Sequence, residues 1–494
     1  MKYQSFVGLE IHIQLISETK VFCSCPNNFG DEPNTNVCPV CMGYPGALPS
    51  LNEEAVFKAL KVCKALNCHI NEKAVFDRKN YFYPDMPKNY QITQFESPFG
   101  VDGYFNLELD DGSYKKIRIH DVHLEEDAGK MIHDGYQSRL DYNRAGTPLL
   151  EIVTEPDLVA GRDAELFVQQ FRQMVRYLEV TDGNMEEGSL RCDANTSINL
   201  PGKGLGTKTE VKNLNSSRFV NKALTYEIKR HAKVIDKGGE IVQETRLWDE
   251  KTSTSKSMRT KEDSHDYRYF PEPDLPPYRV TAELMKEVLS SMLELPNDRK
   301  KRYLEDFKLS PEQAAFITGE RKTADWFDSL LKLGADSNQA ASWLSGDIQK
   351  VLNKEDVSLE ESPFKVERIK ELFDLINAKK ISNNIGKDLL QVMFKEDKDP
   401  SVLVKEKGLE QVSDTGAVEK VVDEVLAAHS AVVDAVRAGE EKQVGFLMGQ
   451  LMKATGGKVN PQMAREIILK KIKLDISGDS QSRDPKIVDK GSEK

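Results

Sequence analysis

The spacing of apolar residues changes once along this 494-residue chain, near residue 280, and that change limits the folds open to it. Before it, short runs alternate apolar and polar residues, as in "VGLEIHIQL" at 7–15, between Gly- and Pro-rich turns and helical patterns at 52–66 and 162–178. Successive side chains of a strand point to opposite faces, so such runs read as sheet with two unlike faces. After Thr281, "TAELMKEVLSSMLELPNDRKKRYLEDF", "PEQAAFI" and "ADWFDSLLKLG" space their apolar residues by three and four, the helical repeat. The expected class is α+β: a mixed α/β domain over 1–280 with a β-sheet site, then two all-helical domains over 281–400 and 402–473, separated at "KEDKDPS". Residues 475–494 lack aromatics and periodicity and are expected to be a disordered tail.

Composition narrows the function classes. No apolar run approaches the ~20 residues of a membrane helix, and "MKYQSFVGLEIHIQL" has neither the basic start nor the apolar block of a signal peptide, so a cytoplasmic protein with no membrane partner is expected. A net charge of −11 argues against indiscriminate nucleic-acid binding, and any RNA contact must use local basic patches. One such patch is "LMKATGGKVNPQMAREIILKKIK" at 451–473, where Lys453, Lys458, Arg465, Lys470 and Lys471 outweigh Glu466, although a solvated helix face has the same charges.

Four of the seven cysteines crowd into "FCSCPNNFGDEPNTNVCPVCMG": Cys23 and Cys25 one residue apart, Cys38 and Cys41 two apart, twelve residues between the pairs. Two short knuckles can turn four thiolates toward one tetrahedral zinc, and a four-sulfur site leaves no open position, so its role is structural. Four unligated thiols in a reducing cytosol are the alternative. Cys63, Cys68 and Cys192 fall on apolar or strand positions and are expected in the core.

The polar faces of the strands are less ordinary. In "VGLEIHIQL" the apolar set Val7, Leu9, Ile11, Ile13 and Leu15 leaves Glu10, His12 and Gln14 on the other face. "IRIHDVHLEEDAGK", 117–130, holds four carboxylates and two imidazoles between His120 and Asp127; a phase slip near His120 and Asp121 puts His123 and Glu125 on one face. A wet turn would also carry such a cluster. In "PLLEIVTEPD", however, Glu151 lies in an apolar run that reads as a strand buried on both sides, and a buried carboxylate needs a partner. Glu10, His12, Glu125 and Glu151 would satisfy one another around a cation; oxygen ligands favour Mg²⁺, and the imidazole leaves Mn²⁺ open. "SLRCDANTSI" aligns Arg191, Asp193 and Asn195, and "TKTEVKN" aligns Lys208, Glu210 and Lys212.

Between these strands, "FDRKNYFYPDMPKNYQITQ" interleaves Arg78, Lys79 and Lys88 with Tyr81, Phe82, Tyr83 and Tyr90, a loop that could hold a phosphate or stack a base. "PGKGLGTKT" lacks the Walker spacing and reads as a hairpin loop.

Taken together, "FVGLEIHIQL", the four cysteines, "DRKNYFYPDMPKNYQITQ", "VHLEEDAGK", "DYNRAGTPLLEIVTEPD", "EGSLRCDANTSINL", "KTEVKNLNS", "HDYRYFPEPDLPP" and "GFLMGQLMKATGGKVNP" resemble the B subunits of tRNA-dependent amidotransferases, over residues 5 to about 473. The resemblance implies a cradle domain with a kinase-type site, a helical domain and a YqeY-like tail that engage tRNA, and assembly with an amidase A subunit and a small C subunit. It implies an ATP-dependent carbon–nitrogen ligase that converts Asp or Glu, mischarged on tRNA(Asn) or tRNA(Gln), to the amide. Asn199, Lys208 and Ser217 stand where the family pattern has Arg, Arg and Phe. By resemblance, Glu10, His12, Glu125 and Glu151 hold the cation, Lys79 and Lys88 meet phosphates or a channel mouth, and Asp193 supports them. A carboxylate resists ammonia until phosphoryl transfer activates it, which is a matter of positioning and charge neutralisation. A noncatalytic zinc-clamped RNA-binding protein would need the cysteines but no convergent carboxylates. A free-standing ligase for a small acid would have no use for two helical domains.

Overall fold

The computed structural model describes residues 2–260, 267–410, 415–440, 442–455, 459 and 461–478. The chain divides into two compact units, Met1–Arg299 and Lys300–Lys494.

The strands of the first unit are β1 (Gln4–Gln14), β2 (His69–Ile70), β3 (Lys73–Ala74), β4 (Asp77–Asn80), β5 (Tyr90–Thr93), β6 (Gly100–Glu108), β7 (Tyr114–Glu126), β8 (Lys130–Asp134), β9 (Gln137–Asp141), β10 (Pro148–Thr154), β11 (Leu190–Asn199), β12 (Thr209–Lys212), β13 (Glu244–Asp249), β14 (Thr254–Thr260), β15 (Phe270–Pro271) and β16 (Tyr278–Arg279). Nine of them make one sheet in the order β14-β13-β12-β11-β1-β10-β7-β6-β2. Every pairing in it is antiparallel except β12 with β13. The long β1 lies at its centre, and Val7, Leu9, Ile11, Ile13 and Leu15 are all buried, as the alternation predicts. Each such side chain stabilises the fold by roughly 1.5–3 kcal/mol.

Helices cover that apolar face. Asn52 caps α1 (Glu53–Ala65), its side chain accepting from the N–H groups of Glu54 and Ala55 at 2.8 and 3.2 Å. Helix α1 packs on β6 and β7, α2 (Gly161–Tyr177) on β6, and α3 (Ser217–Asp236) on β11 and β14. Cys63, Cys68 and Cys192 are buried in this core. With one face covered, the other is left to polar side chains, and it carries the candidate site.

The phase slip in β7 is present. Val153 pairs with Asp121 but Thr154 with Ile119, so His120 is an extra residue. Asp102 in β6, at φ +52°, lies between the pairs Val101–Asp121 and Gly103–Ile119 and so opposite His120, and the two strands slip together. Ile117, Ile119, Val122 and Leu124 are consequently all buried despite the broken alternation.

Helix α4 (Ala282–Ser291), expected with the helical domain, belongs to the first core: Val288 is buried there and Leu284 and Met285 pack against it. Its three-and-four spacing marked a helix but not what the helix would lie on.

In the second unit Tyr303, Phe327, Trp343, Phe373 and Leu390 belong to one apolar cluster, and Val418, Val422, Leu447, Leu451 and Ile468 to another. Among the described residues no strand follows Tyr278–Arg279. The last helix, Pro461–Gly478, runs four residues into the stretch expected to be unstructured. Asp475, Ile476 and Ser477 tolerate helix propagation, and Gly478 opposes it. Residues 479–494 lie outside the described part. No described helix is long and apolar enough to cross a membrane.

Candidate active site

Strand register builds the site. His12 on β1 pairs with Glu151 on β10, and Glu151 pairs in turn with His123 on β7. On the other side of β1, His12 faces Arg191 and Glu10 faces Asp193. Side chains directly opposite across strands lie close enough to touch. His12 Nε2 is 3.1 Å from Glu151 Oε2, and His123 Nε2 is 3.2 Å from the same oxygen. Glu10 Oε1 lies 3.8 Å from His12 Nε2, and Glu125 Oε2 lies 3.9 Å from His123 Nε2. The Thr93 hydroxyl donates to Glu125 Oε2 at 2.9 Å, and His123 Nδ1 is 2.8 Å from Asp121 Oδ1.

The donors form two overlapping triads, Glu10–His12–Glu151 and His123–Glu125–Glu151, each with its ligand atoms within 4.8 Å of one another. The expected quartet therefore does not close by itself. Glu10 and Glu125 flank Glu151 on opposite diagonals, and His123, placed on the right face but left out of the ligand set, joins the second triad. Nor is Glu151 buried between two apolar layers: it stands on the polar face with its side chain 14% exposed.

The charge balance of these groups suits a cation. Burial and the charge of Glu151 push the Glu10 carboxyl up to about 7. Burial opposes charge on His12 and His123, yet Glu151 and its neighbours raise both imidazoles above their usual value. Burial would raise Glu151, but His123 and His12 hold it well below the carboxylate range. The carboxylates thus favour positive charge at this point of the sheet, and a divalent ion can supply it.

Lys79 on β4 extends toward this cluster. Burial lowers its affinity for a proton, but Glu125, Tyr269 and Glu151 raise it above the ordinary lysine value. Its ammonium lies 5.0 Å from the Tyr267 ring and has no ion-pair partner among the described residues. Lys88 is placed differently from expectation. Its ammonium is bonded to Glu126, with side chains 5% and 3% exposed, and Glu126 also accepts the Ile92 N–H at 2.8 Å. It is a buried strut that ties the loop to the end of β7, so the loop does not present both lysines. Asp193 accepts from Lys212 Nζ at 2.6 Å, and Lys212 also reaches Glu210 at 2.9 Å, so Asp193 sits beside Glu10 already paired.

Sequence reasoning missed Asp127. This buried carboxylate accepts from Gln14 Nε2 at 2.7 Å and Arg191 Nη2 at 2.9 Å, and Arg191 and Arg144 hold it below its usual range against burial. The acidic run 125–127 was visible, but its partners come from three other segments. Also missed was the stacking of Phe95 on Tyr269, ring centroids 4.4 Å apart.

The four cysteine sulfurs lie within 4.8 Å of one another, with Cys38 and Cys41 Sγ 3.9 Å apart. Tetrahedral zinc at ~2.3 Å from each sulfur requires ~3.8 Å between sulfurs, so the cluster fits a structural zinc. The Cys38 N–H donates to Cys41 Sγ at 3.2 Å. A hydrogen bond from Cys23 pulls the Cys41 thiol down to about 5 against burial, with help from Cys38 and Lys20. Lys20 is fully buried, donates to the Asn36 and Tyr142 carbonyls at 2.7 and 3.3 Å, and lies 3.8 Å from Cys41 Sγ. In the basic patch of the second unit, Lys453, Arg465 and Lys470 are exposed, but Lys471 is bonded to Asp423 at 2.6 Å and is not free for a phosphate. Lys458 lies outside the described residues.

Two family models match the chain: the GatB/GatE catalytic domain over residues 5–286 and the GatB domain over 325–472. The B subunit of the aspartyl/glutamyl-tRNA(Asn/Gln) amidotransferase of Persephonella marina is 48% identical over 475 residues, 96% of this chain and 100% of that protein. Its counterpart in Thermodesulfovibrio yellowstonii is 47% identical over 476 residues, again 96% and 100%. Both alignments run through the sheet and the helical unit alike, and the chain belongs to the family of aspartyl/glutamyl-tRNA(Asn/Gln) amidotransferase B subunits.

Proposed function

We propose that this chain phosphorylates the side-chain carboxylate of Asp-tRNA(Asn), Glu-tRNA(Gln) or both, and then directs ammonia onto it to give the amide. The observation that carries the reading is the row His12–Glu151–His123 flanked by Glu10 and Glu125, an acidic site for a cation on an otherwise helix-backed sheet. Mg²⁺, or Mn²⁺, when bound with ATP supplies the charge neutralisation that phosphoryl transfer requires. Glu10, His12, Glu125, Glu151 and His123 offer the ligands, and Asp121 and Thr93 orient His123 and Glu125. Lys79 holds a positive charge where a phosphate or the acceptor carboxylate would meet the cluster. Asp193 positions Lys212 beside Glu10. The site's side chains are carboxylates, imidazoles and cations; none offers the serine or cysteine needed to split glutamine. Ammonia therefore comes from an amidase A subunit, with a small C subunit completing the assembly. In this reading residues 1–280 are the catalytic cradle, 281–400 and 402–473 engage tRNA, with Lys453, Arg465 and Lys470 meeting its backbone, and the cytoplasm is the compartment that provides the charged tRNA.

Glu125→Gln is the direct test, since it removes a charge and keeps the volume. The assembled complex should lose tRNA-dependent ATP cleavage while its thermal transition and its glutaminase activity persist. Full ATP cleavage in the variant would sink the assignment. ATP turnover in the wild type with and without mischarged tRNA separates this reading from a noncatalytic RNA-binding protein and from a ligase for a free acid.

A further inference from the structure

Arg78, the third cation of the stretch that holds Lys79 and Lys88, stands on the opposite face of its strand from Lys79. Successive side chains of β4 alternate, so Asp77 and Lys79 share one face and Arg78 and Asn80 the other. Strand β4 is the middle of the three-stranded sheet β15-β4-β5, with Phe270 opposite Arg78 on one side and Ile92 on the other. The guanidinium carbon lies 4.2 Å from the centroid of the Tyr90 ring and 5.8 Å from that of Phe270. Its Nε and Nη2 donate to the two carboxylate oxygens of Glu272 at 2.6 and 2.7 Å, and Nη2 also donates to Asp274 at 3.1 Å. The Glu272 side chain is fully buried.

Two parallel bonds and a ring against its plane fix the orientation of a guanidinium, and a lysine can reproduce neither. The backbone follows the pair. The Glu272 N–H donates to the Phe76 carbonyl at 2.8 Å, and the Asn80 N–H and side-chain amide donate to the carbonyls of Tyr267 and Arg268, each at 2.9 Å. Residues 267–274 are thereby fastened along β4. On the face of Lys79 they bring up the Tyr267 ring, 5.0 Å from the ammonium, and Tyr269, whose ring centroid is 6.1 Å from that of Tyr267. Tyr269 in turn stacks on Phe95, whose N–H donates to Asp77 at 2.9 Å. A lysine stem is long and flexible, and without this wall its ammonium would be free to swing into water.

We propose that Arg78 and Glu272 are positioning residues: their ion pair latches residues 267–274 onto β4, and the tyrosines carried there aim the Lys79 ammonium at Glu125 and Glu151. Neither residue belongs to the cation cluster, and both act through Lys79. The inference rests on the phosphoryl-transfer reading, in which Lys79 meets a phosphate or the acceptor carboxylate.

The test uses the assembled amidotransferase complex. Arg78→Lys keeps the charge but cannot make the paired bonds, and Glu272→Gln keeps the volume but removes the charge. Each should lower kcat for tRNA-dependent ATP cleavage by about tenfold or more, the cost of a misplaced reacting group, with the glutaminase rate unchanged. In a Lys79→Met background either change should have less than about a twofold further effect, since a residue that acts through another adds nothing once the other is gone. A merely structural pair would lose as much in both backgrounds. Brief treatment with acetic anhydride, read by peptide mass spectrometry, gives the reactivity of the Lys79 amine directly. In the wild-type complex Lys79 should react more slowly than the exposed Lys453 and Lys470, a result that does not depend on any variant folding, and in Arg78→Lys it should react severalfold faster. Wild-type ATP cleavage in both variants, or equal losses with and without Lys79, would overturn the latch. So would a wild-type Lys79 as reactive as Lys453, or a rate unchanged by Arg78→Lys, and these decide the matter even where Lys79→Met leaves no ATP cleavage to compare. Wild-type ATP cleavage in Lys79→Met would remove the reading of Lys79 beneath the inference, a distinguishable failure.

Discussion

Replacing Lys88 by Met keeps the apolar stem and deletes the ammonium, leaving Glu126 in a site where both partners were at most 5% exposed. The oxygen that Lys88 served would retain only the Ile92 N–H at 2.8 Å. Breaking a buried pair from one side costs ~3–5 kcal/mol, because a carboxylate is stranded away from water. The contact of Lys88 Nζ with the Tyr90 ring, 5.1 Å from its centroid, is lost as well. At ~2–4 °C per kcal/mol for a large domain, the transition of the first unit should fall on the order of 10 °C. Adding Glu126→Gln removes the stranded charge and should restore more than half of the loss, so the double-mutant cycle isolates the pair. Calorimetry of the single and double variants gives the stability term, and the KM for ATP at 25 °C in the assembled complex gives the functional one. A strut predicts a large change in the first and little in the second. If Lys88→Met melted within about 2 °C of wild type while the KM for ATP rose, Lys88 would be reaching a phosphate, and the buried-pair reasoning would be wrong.

Three further outcomes follow. Cys38→Ser should lower zinc content and thermal stability more than it lowers the turnover of surviving molecules, since a closed four-sulfur site acts through folding; wild-type protein whose stability is indifferent to a strong chelator would refute this. Burial and the Arg230 and Arg246 charges depress His231 to about 4, so its contribution of up to about 3 kcal/mol is complete above its unfolded value near 6.5 and is lost as pH falls toward 4. His231→Gln should therefore flatten the dependence of Tm on pH between those limits, and an unchanged slope would contradict it. Deleting residues 402–494 should raise the KM for mischarged tRNA and weaken its salt dependence while glutamine hydrolysis survives, because Lys453, Arg465 and Lys470 are exposed cations in an acidic chain; an unchanged salt slope would move tRNA recognition elsewhere.

Much of the first unit follows from local pattern. Alternation placed Val7 to Leu15 inside and Glu10, His12 and Gln14 outside, and the break at His120 announced a bulge. Less of the tertiary arrangement is local. Helix α4 has a plain amphipathic repeat, yet nothing in it tells whether Val288 meets the strand-rich core or the helical one. Lys79 and Lys88 share one stretch of sequence and one composition, and only the fold separates a cation on β4 facing the carboxylates from one locked to Glu126. Lys20 reads as a surface residue until the zinc loop and the Tyr142 carbonyl close over it.

The site shows the same division most clearly. Period-two alternation fixes the face on which a side chain stands but not its neighbour, which depends on strand order and register. Glu10, His12, His123, Glu125 and Glu151 could all be read as polar-face residues, and choosing four of them as one ligand set assumed an arrangement the sequence does not contain. The order β1-β10-β7 supplies it, since β10 runs between the two histidine strands although it follows both in the chain. Glu151 is thereby the carboxylate with an imidazole on each side, and its Oε2 is the atom common to both. Any ion held by one triad therefore shares a ligand residue with the other, so Glu10 and Glu125, too far apart in the register to meet directly, can still sense each other's charge through the one carboxylate of Glu151.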